Sequence, residues 1–265
     1  KGFLNNSSRT HDQFYLEEDY FTKPKEVFKL VTPLVMDSLE HTKKNNKKSI
    51  SILDVGCANA DFLRYLDLVL KTNQEIELIG LDVMKVLLDR AKQVFPKAKY
   101  SLADIRDSSR LNELFQGKKF DLVTMLAVHP AFDDLEWIKN LISLTTDNGS
   151  IILSGTFNPY PYDVITRVKK SESSRYEEGW NVHSKDSIKR ECNSLGYEAT
   201  FVDYEPDMII QRRSDDGLRS WTVDIDQNQI SDANHPLIYE KSRKRIFTCA
   251  ARIILDWGFC VIKKL

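Results

Sequence analysis

Five strand-length apolar runs recur in this chain, separated by stretches with helical periodicity, and that alternation limits the fold more than any other feature. The runs are SILDV (51–55), IELIGLDV (76–83), AKYSLADI (98–105), KFDLVTMLAV (119–128) and SIILSGTF (150–157). The first is almost continuously apolar, as strands covered on both faces are. Between the runs lie FLRYLDLVLK (62–71), KVLLDRAKQVF (85–95), SSRLNELFQ (108–116) and LEWIKNLISLT (135–145). Their leucines and aromatics fall at helical spacing, and Pro96 and the pair Asn148-Gly149 supply stop signals. Strands alternating with helices imply a parallel, right-handed, doubly wound sheet.

The pattern changes after residue 157. A loop rich in proline and tyrosine, NPYPYDV (158–164), precedes a helix over 184–197 with Ser184 as its N-cap and Gly196 as its stop. YEATFVDYE (197–205) reads as a sixth strand and FCVIKK (259–264) as a seventh. The expected fold is therefore α/β, a doubly wound, seven-stranded, mostly parallel sheet. Residues 49–265 form the main domain, with an inserted arm at about 206–255 before the last strand. Residues 1–48 hold one or two amphipathic helices, a lead-in that either packs on the sheet or caps its ligand cleft.

In such sheets ligands bind at the carboxyl ends of the strands. Four stretches occupy those ends: Asp54–Asp61, Asp82–Met84, Asp104-Ile105 and Leu126–His129. Gly56 turns the chain after the first strand and lets backbone approach a ligand closely. A dinucleotide loop would continue as G-x-G-x-x-G, but here it reads G-C-A-N-A-D. The last of these residues, Asp61, would repel a pyrophosphate. Asp54 instead suits a cation such as an amino acid's ammonium or a sulfonium. Asp82, next to Val83, can accept both hydroxyls of an adenosine ribose, in charge-assisted bonds worth roughly 1.5–3 kcal/mol each. Asp104 can accept from the exocyclic amine of adenine while the neighbouring Ile105 amide donates to a ring nitrogen. The set describes a site for a nucleoside with a cationic amino-acid tail.

This ordered set resembles the class I S-adenosylmethionine-dependent methyltransferases. Their first motif, [DE]-x-G-x-G-x-G, is matched by DVGCANA (54–60), their second acid by Asp82 and their third-strand acid by Asp104. FDLVTMLAV (120–128) and NGSIIL (148–153) match the fourth-strand motif and the entry to the fifth strand, and ILDWGFCVIKK is similar to the family's antiparallel last strand. The resemblance implies a Rossmann-like methyltransferase fold and S-adenosyl-L-methionine as cofactor. It places Asp54, Gly56, Ala58, Asp61, Asp82, Val83, Asp104, Ile105 and Leu126 around the cofactor. Ala58 and Ala60 stand where the motif has glycine. Alanine adds only a methyl group and is accepted wherever φ is negative, while a position that required φ > 0 would cost it on the order of 1 kcal/mol, so the loop is read as altered but workable. His129, at the end of the fourth strand, is the expected general base at the mouth of the cleft, with an unperturbed pKa near 6.5. The arm, with RSWTVDI and RKRIFTCAARIILDWGF, looks like those of bacterial methyltransferases that modify sugars or other small metabolites. The expected reaction is O-methylation of a small polar, sugar-like acceptor.

Two other readings stay open. A short-chain NAD(P) oxidoreductase needs a Y-x-x-x-K pair, and no tyrosine of this chain has lysine four residues on. A non-catalytic, methyltransferase-like binding subunit is supported by the altered glycines alone. Composition narrows the partners further. With 38 basic against 39 acidic residues and a net charge of −1, the chain lacks the strong basic excess of a general nucleic-acid binder. No apolar run reaches the roughly 18 residues of a membrane span. The four cysteines form no C-x-x-C pair and the five histidines no H-x-x-x-H pair, so neither zinc nor a disulfide framework is expected. The start lacks the apolar segment of a signal peptide, and a cytoplasmic location follows as the expectation. It also lacks an initiator methionine, as a trimmed chain or a part of a longer one would.

Overall fold

The structure, a computed structural model, describes residues 14–17, 21–43, 49–70, 75–167, 169, 171–176, 179, 181–203, 221–224, 245–248 and 256–265. Its elements are α1 (Phe14–Glu17), α2 (Glu26–Lys43), β1 (Ser49–Val55), α3 (Asp61–Val69), β2 (Glu75–Asp82), α4 (Lys85–Val94), β3 (Lys99–Leu102) and α5 (Ser108–Phe115). There follow β4 (Phe120–Leu126), a 3-10 turn at His129–Ala131, α6 (Glu136–Leu144), β5 (Thr145–Phe157), α7 (Lys185–Ser194) and β6 (Tyr197–Asp203). The described residues end with β7 (Trp221–Asp224), β8 (Arg245–Thr248) and β9 (Asp256–Lys264).

Seven strands form one sheet in the order β3-β2-β1-β4-β5-β9-β6. The pairs β1–β2, β1–β4, β2–β3 and β4–β5 are parallel, and β9 runs antiparallel between β5 and β6. The doubly wound, mostly parallel sheet expected from the alternation, with its antiparallel last strand, is the fold observed. The chain direction reverses its walk through the sheet between β1 and β4, so the crevice that binds ligands in such folds opens above their carboxyl ends.

Strand pleating divides the core into two layers. Ile50 and Ile52 of β1 join Phe28, Val31, Val35 and Leu39 of α2 on one face, while Leu53 and Val55 join Trp137, Ile138 and Leu141 of α6 on the other. The four α2 residues recur at three- and four-residue intervals, which gives that helix its single buried stripe. The lead-in therefore packs on the sheet. Tyr15, Lys25 and Phe28 of the lead-in also reach the cleft, as described below.

Three local readings need correction. The third strand ends at Leu102 rather than Ile105, so Asp104 lies in a turn beyond it. Helix α6 ends at Leu144, and Asn148-Gly149 is not its stop but part of β5. There the register against β4 slips, with Phe120 opposite Thr145 but Leu122 opposite Ser150, so the extra residues bulge out. Beyond Asp203 the arm reads as polar insertion in the sequence. Its described residues are β7 and β8, which pair antiparallel, and the rest of 206–255 lies outside the described residues.

Candidate cofactor and active site

The loop from Val55 to Asp61 is built on three left-handed turns of the backbone. Gly56 has φ 75°, Ala58 φ 47° and Ala60 φ 68°. Of the two conformations open to the alanines, both therefore take the positive φ that costs an L-residue energy. The spacing explains the family motif, because its three glycines fall on these same three positions, where L-residues are strained by roughly 1–2 kcal/mol each. At Gly56 the requirement is also steric: a Cβ there would meet Val128 Cγ2 at 2.3 Å. The Gly56 and Cys57 amides both donate to the Leu81 carbonyl, at 2.7 and 3.1 Å, which ties the loop to the end of β2. Ala60 is the N-cap of α3 and has no side chain with which to cap it.

Asp82 holds the strained part of this loop. Its Oδ2 accepts from the Ala58 amide at 2.9 Å and its Oδ1 from the Met84 amide at 2.8 Å. A carboxylate offers roughly four acceptor sites, so serving the loop does not exclude accepting ribose hydroxyls. Asp54 is buried beside it. Thr124, its register partner on β4, donates to Asp54 Oδ1 at 2.7 Å. Burial, aided by the nearby Asp82 charge, pushes the Asp54 carboxyl up to about 7 despite that hydrogen bond. Asp61, in the first turn of α3, pairs with Arg64 at 3.3 Å. Asp104 is bridged by the Arg106 guanidinium, with the shortest contact at 2.6 Å, and Arg106 in turn lies over the Phe132 ring.

One cleft gathers these groups. Asp54 lines it from β1, Gly56, Ala58 and Asp61 from the loop, Asp82 from the end of β2 and Val83 just beyond it, Asp104 and Ile105 from beyond β3, and Leu126 from β4. All nine residues expected around a cofactor therefore share one cavity wall.

His129 does not. Its side chain is fully buried in the opposite core layer, stacked on Phe157 with ring centroids 4.9 Å apart and near Trp137 and His183. It packs so closely over Gly155 that a Cβ there would come within 2.3 Å of Nε2. Neither ring nitrogen has a hydrogen-bond partner. Burial and the neighbouring His183 drive the imidazole down to about 3, so it stays neutral at physiological pH and has no route to a substrate proton. The expected base at the cleft mouth is corrected to a core aromatic. The physical reason lies in the turn: Ala127 has φ 58°, and Val128, not His129, faces the loop glycine. His183 is also buried, with Nε2 3.0 Å from the Phe132 carbonyl.

Sequence reasoning left open that the lead-in caps the cleft but did not name the residues of that wall. Tyr15, Lys25 and Phe28 from the lead-in line it, as do Asn59 of the loop and Phe132 after the 3-10 turn. Asn59 Nδ2 donates to the Tyr15 carbonyl at 2.9 Å, and Phe28 packs on Phe62 at the start of α3. The aromatic residues of the lead-in were visible, but an amphipathic stripe does not say which end of the sheet it meets. Among the described residues no group of histidine, cysteine, aspartate or glutamate side chains is arranged to hold a metal ion, and no helix is long and apolar enough to cross a membrane.

A sheet of this order, with acids at successive strand ends around a left-handed loop, defines a class I S-adenosylmethionine-dependent methyltransferase. Residues 25–201 match the family model described as "Methyltransferase domain", and the chain belongs to that family. The family's methyl donor, S-adenosylmethionine, is the cofactor. No curated protein matches the chain's sequence at a significant level. Among solved structures it is similar to CalS10 from Micromonospora echinaspora, described as an amino pentose methyltransferase with S-adenosylmethionine bound. The identity is 12%, the TM-score 0.52, and 98% of this chain and 99% of that one are covered. An S-adenosylmethionine-dependent methyltransferase from Clostridium acetobutylicum is similar at 12% identity and TM-score 0.51, with 97% and 99% covered. The sugar N-methyltransferase KedS8 from Streptoalloteichus is similar at 13% identity and TM-score 0.51, with 75% and 89% covered. At these identities the likeness speaks for the fold.

Proposed function

We propose that this methyltransferase acts on a small polar, sugar-like acceptor, and that the nine cleft residues hold its cofactor. In this reading Asp82 accepts the ribose hydroxyls, Asp104 and the Ile105 amide read the adenine edge, and Asp54 accepts the ammonium of the amino-acid tail. The observation that carries it is the convergence of Asp54, Asp82 and Asp104 in one cleft beside the left-handed loop. Asp54 fits a cationic ligand in particular. A buried carboxyl held near 7 is readily drawn into its ionised form by a positive charge placed against it.

The cofactor supplies an electrophilic methyl on a sulfonium. The chain's part is to align an acceptor with it and exclude water, which alone supplies much of a methyl transfer's rate. Oxygen as the acceptor atom was expected with His129 as its base. With His129 inside the core, a neutral amine, which attacks through its own lone pair and needs no such base, is the acceptor atom we favour. The lead-in, 1–48, serves as a cap as well as a packing element, and the arm, about 206–255, is assigned to acceptor recognition. The amino pentose and sugar N-methyltransferase descriptions of two similar structures agree with a sugar-like acceptor.

The test is a transfer assay with isotopically labelled methyl donor against paired amino sugars and their hydroxyl counterparts. Label in the amino sugar and not in its hydroxyl counterpart is the expected result. Label only in the hydroxyl sugar would overturn the amine assignment, and label in neither, with turnover on larger polymers, would overturn the acceptor class.

A further inference from the structure

The chain that follows β4 carries Ala131 and Phe132 into the cleft wall. It is a single 3-10 turn, His129–Ala131, entered through the left-handed Ala127, and a turn that short has few bonds of its own. One residue of the segment between β5 and α7 fastens it. Asn181 is fully buried. Its backbone amide donates to the Pro130 carbonyl at 3.0 Å. Its Nδ2 donates to the Phe132 carbonyl at 2.8 Å and to Asp133 Oδ1 at 2.9 Å. Its Oδ1 accepts from the Thr166 amide at 2.8 Å, which fixes the way the side-chain amide points. An amide suits this place because one edge must donate and the other accept; a carboxylate would set oxygen against oxygen at Phe132 and Asp133.

Phe132 is the part of this turn that presents a ring to the cleft. The Arg106 guanidinium, which bridges Asp104, lies 5.1 Å from the centroid of that ring, so the ring stands on the Asp104 side. The function proposed above puts the adenine there, and a flat base packs well on an aromatic face. We propose that Asn181 is a positioning residue for the cofactor: by fixing the backbone of the turn 130–133 it sets the Phe132 ring as the wall on which the adenine packs. The inference rests on the cofactor site proposed above. Asn181 is not one of the described residues lining the cleft, so its effect on the cofactor passes through the turn. The link spans 49 positions of sequence, and it ties the cofactor wall to the segment that follows β5.

Calorimetric titration of the full chain with S-adenosylhomocysteine and 5′-methylthioadenosine, which share the adenine, tests this. The proteins compared are the wild type, Asn181→Ala, Phe132→Leu and the double variant. Stoichiometry reports the folded fraction and the dissociation constant reports the site, so a residue needed for folding alone changes only the first. Asn181→Ala and Phe132→Leu should each weaken both ligands by about 5- to 30-fold, as losing an aromatic face against a base does. Because Asn181 acts through Phe132, the double variant should bind within about twofold of Phe132→Leu alone. If Asn181→Ala does not fold, Asn181→Ser, which keeps the backbone bond to Pro130 and a hydroxyl for the Phe132 carbonyl, is measured with the same expectation. Wild-type dissociation constants in the Asn181 variant or in Phe132→Leu overturn the role of Asn181 and leave the cofactor site standing. So does weakening of S-adenosylhomocysteine alone, or an Asn181 loss that persists in full beside Phe132→Leu. A wild-type protein that binds neither ligand overturns the site itself, and the inference with it.

Discussion

Replacing Ala58 with glycine should stabilise this protein, the reverse of the usual effect. Alanine at φ 47° carries the left-handed penalty of roughly 1–2 kcal/mol. Glycine removes it but gives the unfolded chain more freedom, which costs about 0.4–1 kcal/mol. Ala58 is only half-buried, on the cleft wall, so little packing is lost with its methyl. The net gain is about 0.5–1 kcal/mol, or roughly 1–4 °C in melting temperature for a chain of this size. Ala60 is different. It has φ 68° but is fully buried in the α2 layer, where a lost methyl costs about 0.8 kcal/mol more. Ala60→Gly should therefore be close to neutral. Urea denaturation of the two single variants beside the wild type reads the contrast directly. If Ala58→Gly is less stable than the wild type by the ordinary glycine penalty, the loop does not hold its second position left-handed, and the account of the motif's spacing is wrong.

Other consequences can be measured in the same preparations. Asp82→Ala should weaken S-adenosylhomocysteine by about 2–4 kcal/mol and lower the unfolding midpoint as well, because the Ala58 amide of the loop and the Met84 amide lose their acceptor; unchanged stability would mean the loop stands without it. Binding of S-adenosylhomocysteine should strengthen as pH rises toward and through about 7, where Asp54 ionises, while 5′-methylthioadenosine binding stays flat. The same raised pKa makes the ligand-free protein lose stability as pH rises from the ordinary carboxylate value of 3.8 to about 7, since the folded state holds that proton more tightly than the unfolded chain. A flat profile for both ligands would separate Asp54 from the ammonium. His129→Ala should destabilise by about 2–4 kcal/mol through the cavity beneath Phe157, yet leave turnover per folded molecule and cofactor affinity nearly unchanged. A hundredfold loss of turnover at wild-type stability would return His129 to the chemistry.

The sheet was legible because strands buried on both faces and helices buried on one leave different periodicities. β1, β2 and β4 end within two residues of where the apolar runs suggest. The strand-end acids were legible for the same reason, since a carboxylate closing an apolar run has few structural uses. What misled was local backbone geometry. Whether Ala58 tolerates its place depends on φ, and the letter alanine does not carry a sign for φ. His129 follows β4 in the expected register, but the left-handed Ala127 turns the chain so that Val128 meets the loop and the imidazole falls behind the sheet. Lys25 and Tyr15 were illegible for a third reason. Their approach to the cleft is a tertiary contact through Asn59, made across a sequence separation of 44 residues, and no local pattern records it.

Calorimetric titration of the chain with S-adenosylhomocysteine, with NADH as the control ligand, tests the central claim that the acids and the left-handed loop form a working S-adenosylmethionine site. The account predicts saturable one-to-one binding of S-adenosylhomocysteine, diminished in Asp82→Ala, and no heat of binding from NADH, whose pyrophosphate meets Asp61. Binding of NADH with none of S-adenosylhomocysteine would contradict it.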